Sequence, residues 1–195
     1  MKKVMDISSI GLTGVCDYLS TIKFTPVKTK YISNGWSAVS LYGYGNQIHD
    51  ILKPNVLGTS DLIKNELTKT SLYSHKNIKP IQEILGFLPY RFERIRIMKL
   101  KSGSTIRKHT DKVDKDFVNG KIVRFHLPLD DNNEVVYYVW EKGLKKEYRL
   151  STGKVYHLDV RFPHSVKNVS NKDRYNLVFD TFNNNEIKEL IKSYG

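Results

Sequence analysis

From Phe92 onward the chain changes period, and that change limits the fold more than any other feature. Arg94-Ile95-Arg96-Ile97-Met98-Lys99-Leu100 alternates polar and apolar residues, as a half-buried strand does. Strands are expected again over Lys121–Leu129, Val135–Trp140, Lys145–Leu150, Lys154–Val160 and Tyr175–Thr181. Turn signals separate them at Asp130-Asp131-Asn132-Asn133, Lys142-Gly143 and Thr152-Gly153. Short strands at such close spacing predict an antiparallel sandwich or barrel.

The first part of the chain reads as a mixed buttress. Strands are expected near Tyr31-Ile32 and over Ser37–Tyr42, the latter closed by Gly43 and Gly45. A helix is expected over Asp61–Leu67, capped by Ser60 or Asp61, and another from Ile78 to Leu88. The second should start near Pro80 and stop before Gly86 or Pro89. At the far end Asn183–Tyr194 is helical, with Ile187, Leu190 and Ile191 on one face. With no repeat and no long linker, residues 1–195 read as one domain: buttress 1–90, β core 91–182, C-terminal helix 183–195.

Composition excludes several classes. One cysteine, Cys16, rules out an intramolecular disulfide and a cysteine-ligated zinc or iron–sulfur site. The start Met1-Lys2-Lys3-Val4-Met5-Asp6 is not a signal peptide, and no run reaches the roughly 18 apolar residues of a membrane span, so a reducing cytoplasm is expected. A net charge of +12 raises nucleic acid as a partner. The lysines are scattered, however, and no aromatic-basic signature of an RNA-binding sheet is visible, so a merely cationic surface is the preferred reading.

The chemistry lies in the histidines. His109-Thr110-Asp111 follows a strand, and alternate side chains of an extended segment point the same way, so His109 and Asp111 can share an ion. His164, from a distant strand, completes two histidines and a carboxylate, the facial triad of non-haem Fe(II) oxygenases, which leaves positions open for a chelating cosubstrate and O₂. His157-Leu158-Asp159 is a rival pair. Its His157 sits within a strand, exposed or hydrogen-bonded, and using it would crowd all three ligands onto one hairpin. Asp159 is better placed to orient the turn before His164. Arg124 and His126 share one strand face: either they point inward and need a ligand carboxylate, or that face is solvent. Arg174 is open in the same way, between a bidentate ligand contact and a surface bridge to Asp173 or Asp180.

Taken together, the block from Arg94 to Asp180 resembles the aspartyl/asparaginyl β-hydroxylase-like family, and within it the bacterial free-proline cis-hydroxylases. The matching elements are Arg96–Leu100, His109-Thr110-Asp111, Arg124–Leu129, His157-Leu158-Asp159, Pro163–Asn168 and Arg174–Asp180, in order and spacing. Gly35-Trp36 and the strand after it also fit. The resemblance implies a mainly β protein with flanking helices and a double-stranded β-helix core of jelly-roll, cupin-like type. It implies Fe(II) held by His109, Asp111 and His164, with 2-oxoglutarate and O₂ as cosubstrates. Arg174 would bind the distal carboxylate of 2-oxoglutarate, and Arg124 and His126 would line the same pocket. The insert Lys112–Asn119 is a candidate substrate lid, and Asn168 and Thr110 are candidates for orienting the ligands. The expected reaction is hydroxylation of a C–H bond of an amino acid, free or in a peptide. Two rivals are a non-catalytic cupin-like binder of metal or a small acid, and an oxygenase acting on nucleic acid.

Overall fold

The computed structural model of the protein describes residues 1–28, 35–53, 67–88, 91–112 and 114–193. In chain order its strands are β1 (Lys2–Asp6), β2 (Thr25–Pro26), β3 (Trp36–Tyr44), β4 (Leu67–Lys69), β5 (Phe92–Leu100) and β6 (Thr105–His109). They continue with β7 (Ile122–Pro128), β8 (Val135–Glu141), β9 (Leu144–Tyr148), β10 (Lys154–His157), β11 (His164–Asn168) and β12 (Arg174–Phe182). The helices are α1 (Val15–Ser20), α2 (Lys79–Phe87), α3 (Lys115–Val118) and α4 (Asn185–Ser193).

Among the described residues the strands form two antiparallel sheets. The larger runs β1-β10-β7-β12-β5-β3-β2, with β4 also on β3; the smaller runs β6-β11-β8-β9. Strand β12 is the axis of the larger sheet. Its Val178 lies opposite His126 of β7 on one side and Arg96 of β5 on the other. Side chains alternate across a strand, so Phe125, Leu127, Leu177, Phe179, Ile95 and Ile97 share the outer face. They are buried there against Leu19 of α1, Ile81, Ile84 and Leu85 of α2, and Ile187 of α4. The inner face meets the smaller sheet, where Leu100 packs with Ile106, Tyr137 and Val166. This is a double-stranded β-helix core with helices on its outer side, as the family resemblance implies; the strand pattern by itself predicts an antiparallel sandwich or barrel.

The β8–β9 turn shows why the spacing was readable. Lys142 (φ 49°) and Gly143 (φ 81°) both take left-handed conformations, as a two-residue hairpin turn of matching twist requires. Other expectations need amendment. The Lys154–Val160 strand stops at His157; α2 ends at Phe87, past Gly86 and before Pro89, the later of its two expected stops. The expected strand at Tyr31-Ile32, and the helix over Asp61–Leu67 except Leu67 itself, lie outside the described residues. Strands β1, β2 and β4 and helices α1 and α3 carry too few residues for a periodic signal. The alternating run in β5 is not half-buried: Arg94 and Arg96 are 7% and 8% exposed. Their face meets a buried carboxylate, not water. Within the insert Lys112–Asn119, α3 lies over Lys115–Val118, with Phe117 buried and Lys53 bonded to Asp114 (3.4 Å) and Asp116.

Candidate active site

The pairing of β6 with β11 sets His164 opposite His109, so two residues far apart in sequence become neighbours. Their imidazole centroids are 4.3 Å apart at 54°. Asp111 follows β6 and is fixed by its own backbone, which donates to the Val160 carbonyl at 3.0 Å. One ligand atom from each of His109, Asp111 and His164 falls within 4.8 Å of the others.

Both imidazoles are oriented by the same local device. Nδ1 of His109 lies 2.7 Å from the Arg107 carbonyl, and Nδ1 of His164 lies 2.9 Å from the Phe162 carbonyl. A carbonyl only accepts, so each Nδ1 carries the proton and each Nε2 keeps its lone pair for an ion. Burial further lowers the pKa of His164 and keeps it neutral. Asp111 is oriented by Arg124, whose Nη1 donates to Oδ2; Oδ1 stands 3.7 Å from Nε2 of His109.

Behind the triad the inner face of β12, β7 and β5 carries a polar stripe. At one end Asp180 is fully buried and holds three guanidiniums. Arg124 bonds it twice, at 2.7 and 3.0 Å, while Arg94 and Arg96 reach Oδ2 at 2.8 and 3.0 Å. These cations outweigh the cost of burial and hold the Asp180 carboxyl far below the usual carboxylate range. Arg96 is the strained member: burial and the charge of Arg94 push it down to about 9, and its Nε has no partner.

The other end is different. Arg174 is buried, yet among the described residues it forms no ion pair, and its Nη2 has no hydrogen-bond partner. Its guanidinium lies over the Tyr137 ring at 5.0 Å, and burial pushes its pKa down to about 10. The surface bridges do not form: Asp173 pairs with Lys99 at 2.8 Å, and Asp180 is occupied as described. Between the two ends His126 is buried and held neutral by burial and the nearby arginines. Its Nδ1 meets Asn176 Nδ2 at 3.0 Å, leaving His126 Nε2 and Asn176 Oδ1 without partners. Tyr137 Oη is likewise unsatisfied. Buried polar atoms are normally bonded, so Arg174, His126, Asn176 and Tyr137 form a cradle that lacks its polar complement.

The solvent-face alternative for Arg124 and His126 is therefore overturned, since both point inward. The rival pair separates: His157 packs its ring 5.7 Å from Phe125, half-buried rather than exposed, with burial pushing its pKa down to about 4. Asp159 accepts from the backbone and side chain of Arg161 at 2.6 to 3.1 Å. Asn168 does not orient a ligand, as its amide donates to the Leu100 and Lys172 carbonyls and shapes the turn after β11. A cavity of about 260 Å³ lies between α4 and the turn from His157 to Arg161, and none of His109, Asp111 and His164 lines it. Arg94, Arg96, Asn176 and Tyr137 were not anticipated. Their one sequence signal was the polar half of strands β5 and β12 and an ordinary β8 tyrosine.

Known proteins resemble the chain in fold and in family. A 2OG-Fe(II) oxygenase family oxidoreductase from Burkholderia pseudomallei is 16% identical with a TM-score of 0.50, covering 89% of this chain and 78% of its own. A predicted oxalate decarboxylase from Thermotoga maritima is 13% identical, with a TM-score of 0.38, covering 83% of this chain and 95% of its own. A search of curated proteins finds no significant relative. The family described as aspartyl/asparaginyl beta-hydroxylase matches residues 18–184, a span that contains the triad, the arginine cluster and the cradle. The chain is a member of the aspartyl/asparaginyl β-hydroxylase family and an oxygenase enzyme.

Proposed function

We propose that the protein is an Fe(II)- and 2-oxoglutarate-dependent hydroxylase of an amino acid C–H bond, the amino acid being free or within a peptide. The observation that carries this reading is the pairing of a His-Asp-His donor set with a buried guanidinium that, among the described residues, has no carboxylate in ion-pair contact, Asp130 acting on it only from a distance. The donor set fits iron: two neutral imidazoles and one carboxylate offset part of the charge and leave half of an octahedron open. The cradle fits a dicarboxylate, since Arg174 Nη2, His126 Nε2 and Tyr137 Oη could all bond to one end of it.

When bound, iron and its cosubstrate supply the oxidising chemistry: 2-oxoglutarate and O₂ become succinate and CO₂ as one oxygen atom enters the substrate C–H bond. The chain's residues do the positioning. His109, Asp111 and His164 hold the ion, their geometry set by the Arg107 and Phe162 carbonyls and by Arg124. Arg174 anchors the distal carboxylate in a buried site where its charge is poorly solvated, so the bond formed there is strong. Arg124, committed to Asp111 and Asp180, acts on the cosubstrate through its charge and through Asp111. Arg94 and Arg96 are held within the chain, Arg94 by Asp180, Glu93 and Asp114 and Arg96 by Asp180, so this end of the stripe asks for no ligand charge. The resemblance to free-proline hydroxylases supports an amino acid as substrate. Among the described residues no helix is long and apolar enough to cross a membrane, and we place the work in the cytoplasm.

The test is succinate formation from 2-oxoglutarate with Fe(II), screened over free amino acids and short peptides. Turnover stimulated by an amino acid supports the reading. No 2-oxoglutarate binding by the metal-loaded protein would end it.

A further inference from the structure

The smaller sheet has a second face, turned away from the triad. Along β8, Val135, Tyr137 and Val139 are buried inward, so Tyr138 and Trp140 point outward, where each is half-buried. Their rings are 6.4 Å apart and tilted by 48°. Lysines from the neighbouring strands converge on them. Lys108 of β6 lies 4.3 Å from the Trp140 ring, and Lys145 of β9 lies 3.8 Å from the Tyr138 ring. Lys167 of β11, opposite Val136, is exposed on the same face. Among the described residues none of these three lysines is paired with a carboxylate, and the face's own acid, Glu147, is taken by Arg149 at 2.9 Å.

We propose that this outer face is a docking surface for single-stranded nucleic acid. Unneutralised lysines on a protein of net charge +12 attract any polyanion. The two rings select among polyanions. Aromatic side chains on a four-stranded antiparallel sheet are a stacking platform for unpaired bases, and stacking is tolerant of sequence because every base has a π-face. The ammonium groups resting over the rings are within reach of phosphates once bases take the ring faces. An acidic polypeptide would use the lysines but has no need of the rings. The platform also leads to the triad: Lys108 directly precedes His109, and the Trp140 amide donates to the Pro163 carbonyl at 2.9 Å, beside His164.

The test is fluorescence anisotropy with labelled oligothymidylate and oligouridylate of about 16 nucleotides, the upper range for one such platform. Competitors are the matching duplex and polyglutamate, and salt is varied. Single strands should bind more tightly than either competitor. Trp140→Ala should weaken binding about tenfold, while Trp140→Phe, which keeps a ring, should weaken it much less. Lys108→Ala and Lys145→Ala should each lower the slope of log affinity against log salt by about one. Lys145 is exposed, so its variant keeps the test alive if Trp140→Ala fails to fold. Equal displacement by polyglutamate would overturn the proposal in favour of an acidic polypeptide. Single-strand binding untouched by both the Trp140 and the lysine variants would overturn it outright.

Discussion

The two ends of the polar stripe on β12 carry the same kind of charge in opposite states of completion. Around Asp180 a fully buried carboxylate is shared by Arg94, Arg96 and Arg124. Around Arg174 a buried guanidinium has a tyrosine face beneath it and no carboxylate in ion-pair contact. A buried ion is tolerated only with partners. The Asp180 end meets that condition within the chain and belongs to the fold. The Arg174 end does not, and is the place where a ligand would complete it. Sites for structure and sites for binding can thus be separated by asking where each buried charge finds its counter-ion.

The widest separation between the two ends should come from the triad that stands in front of both. His109→Ala, Asp111→Ala and His164→Ala should each abolish 2-oxoglutarate turnover, while circular dichroism and thermal melts stay close to wild type. Even in Asp111→Ala, Arg124 keeps two bonds to Asp180. Near-wild-type turnover in any one variant removes that residue from the set of ligands.

Next, Asp180→Asn and Arg174→Ala should fail in opposite ways. Removing the Asp180 charge leaves Arg96 without its ion pair and takes one partner each from Arg94 and Arg124, and should cost about 3–5 kcal/mol of stability, read from urea unfolding. Arg174→Ala removes no intrachain pair, so the unliganded protein should be as stable as wild type or more so. Its loss should appear in calorimetry of the Mn(II)-loaded protein, as about a hundredfold to thousandfold weaker 2-oxoglutarate binding. Arg174→Lys should recover only part, because an ammonium lacks the planar fork. If the two variants lose the same property, the comparison between the ends collapses.

A smaller effect follows from pH. The folded pKa of Asp180 is depressed below its ordinary value of 3.8. Its contribution to stability is therefore complete above about pH 4 and is lost as pH falls toward the folded value. Urea midpoints measured at pH 6 and pH 3 should drop more in wild type than in Asp180→Asn. A parallel drop would mean that other carboxylates govern acid unfolding. The smallest effect is expected at His157, whose ring packs on Phe125 outside the triad. His157→Ala should leave metal affinity unchanged; loss of metal binding there would revive the rival pair.

The sequence made much of this legible because period and turn chemistry are local. Alternation over β5, the turns at Asp130–Asn133 and Lys142-Gly143, and the apolar stripes of α2 and α4 arise from neighbours within a few residues. Histidines and a carboxylate in a strand context could be read as metal ligands before any fold was known. What alternation could not reveal is which face is wet. Arg94 and Arg96 look like the solvent side of a strand, and become interior only because Asp180 and Arg124 arrive from β12 and β7.

Local order along the chain thus determined the strands, their turns, the candidate ligands and the oxygenase reading. The tertiary structure alone decided which arginines are paired and which has no ion pair among the described residues, because counter-ions come from strands far apart in sequence. It brought His109, which the sequence already favoured over His157, beside His164 through the pairing of β6 with β11. It also gathered lysines and aromatic rings from separate strands onto one face where no single stretch of sequence carries the pattern. The physical reason is common to all three. Charge and stacking act between atoms that are close in space, and sequence order reports closeness only within a strand or a turn.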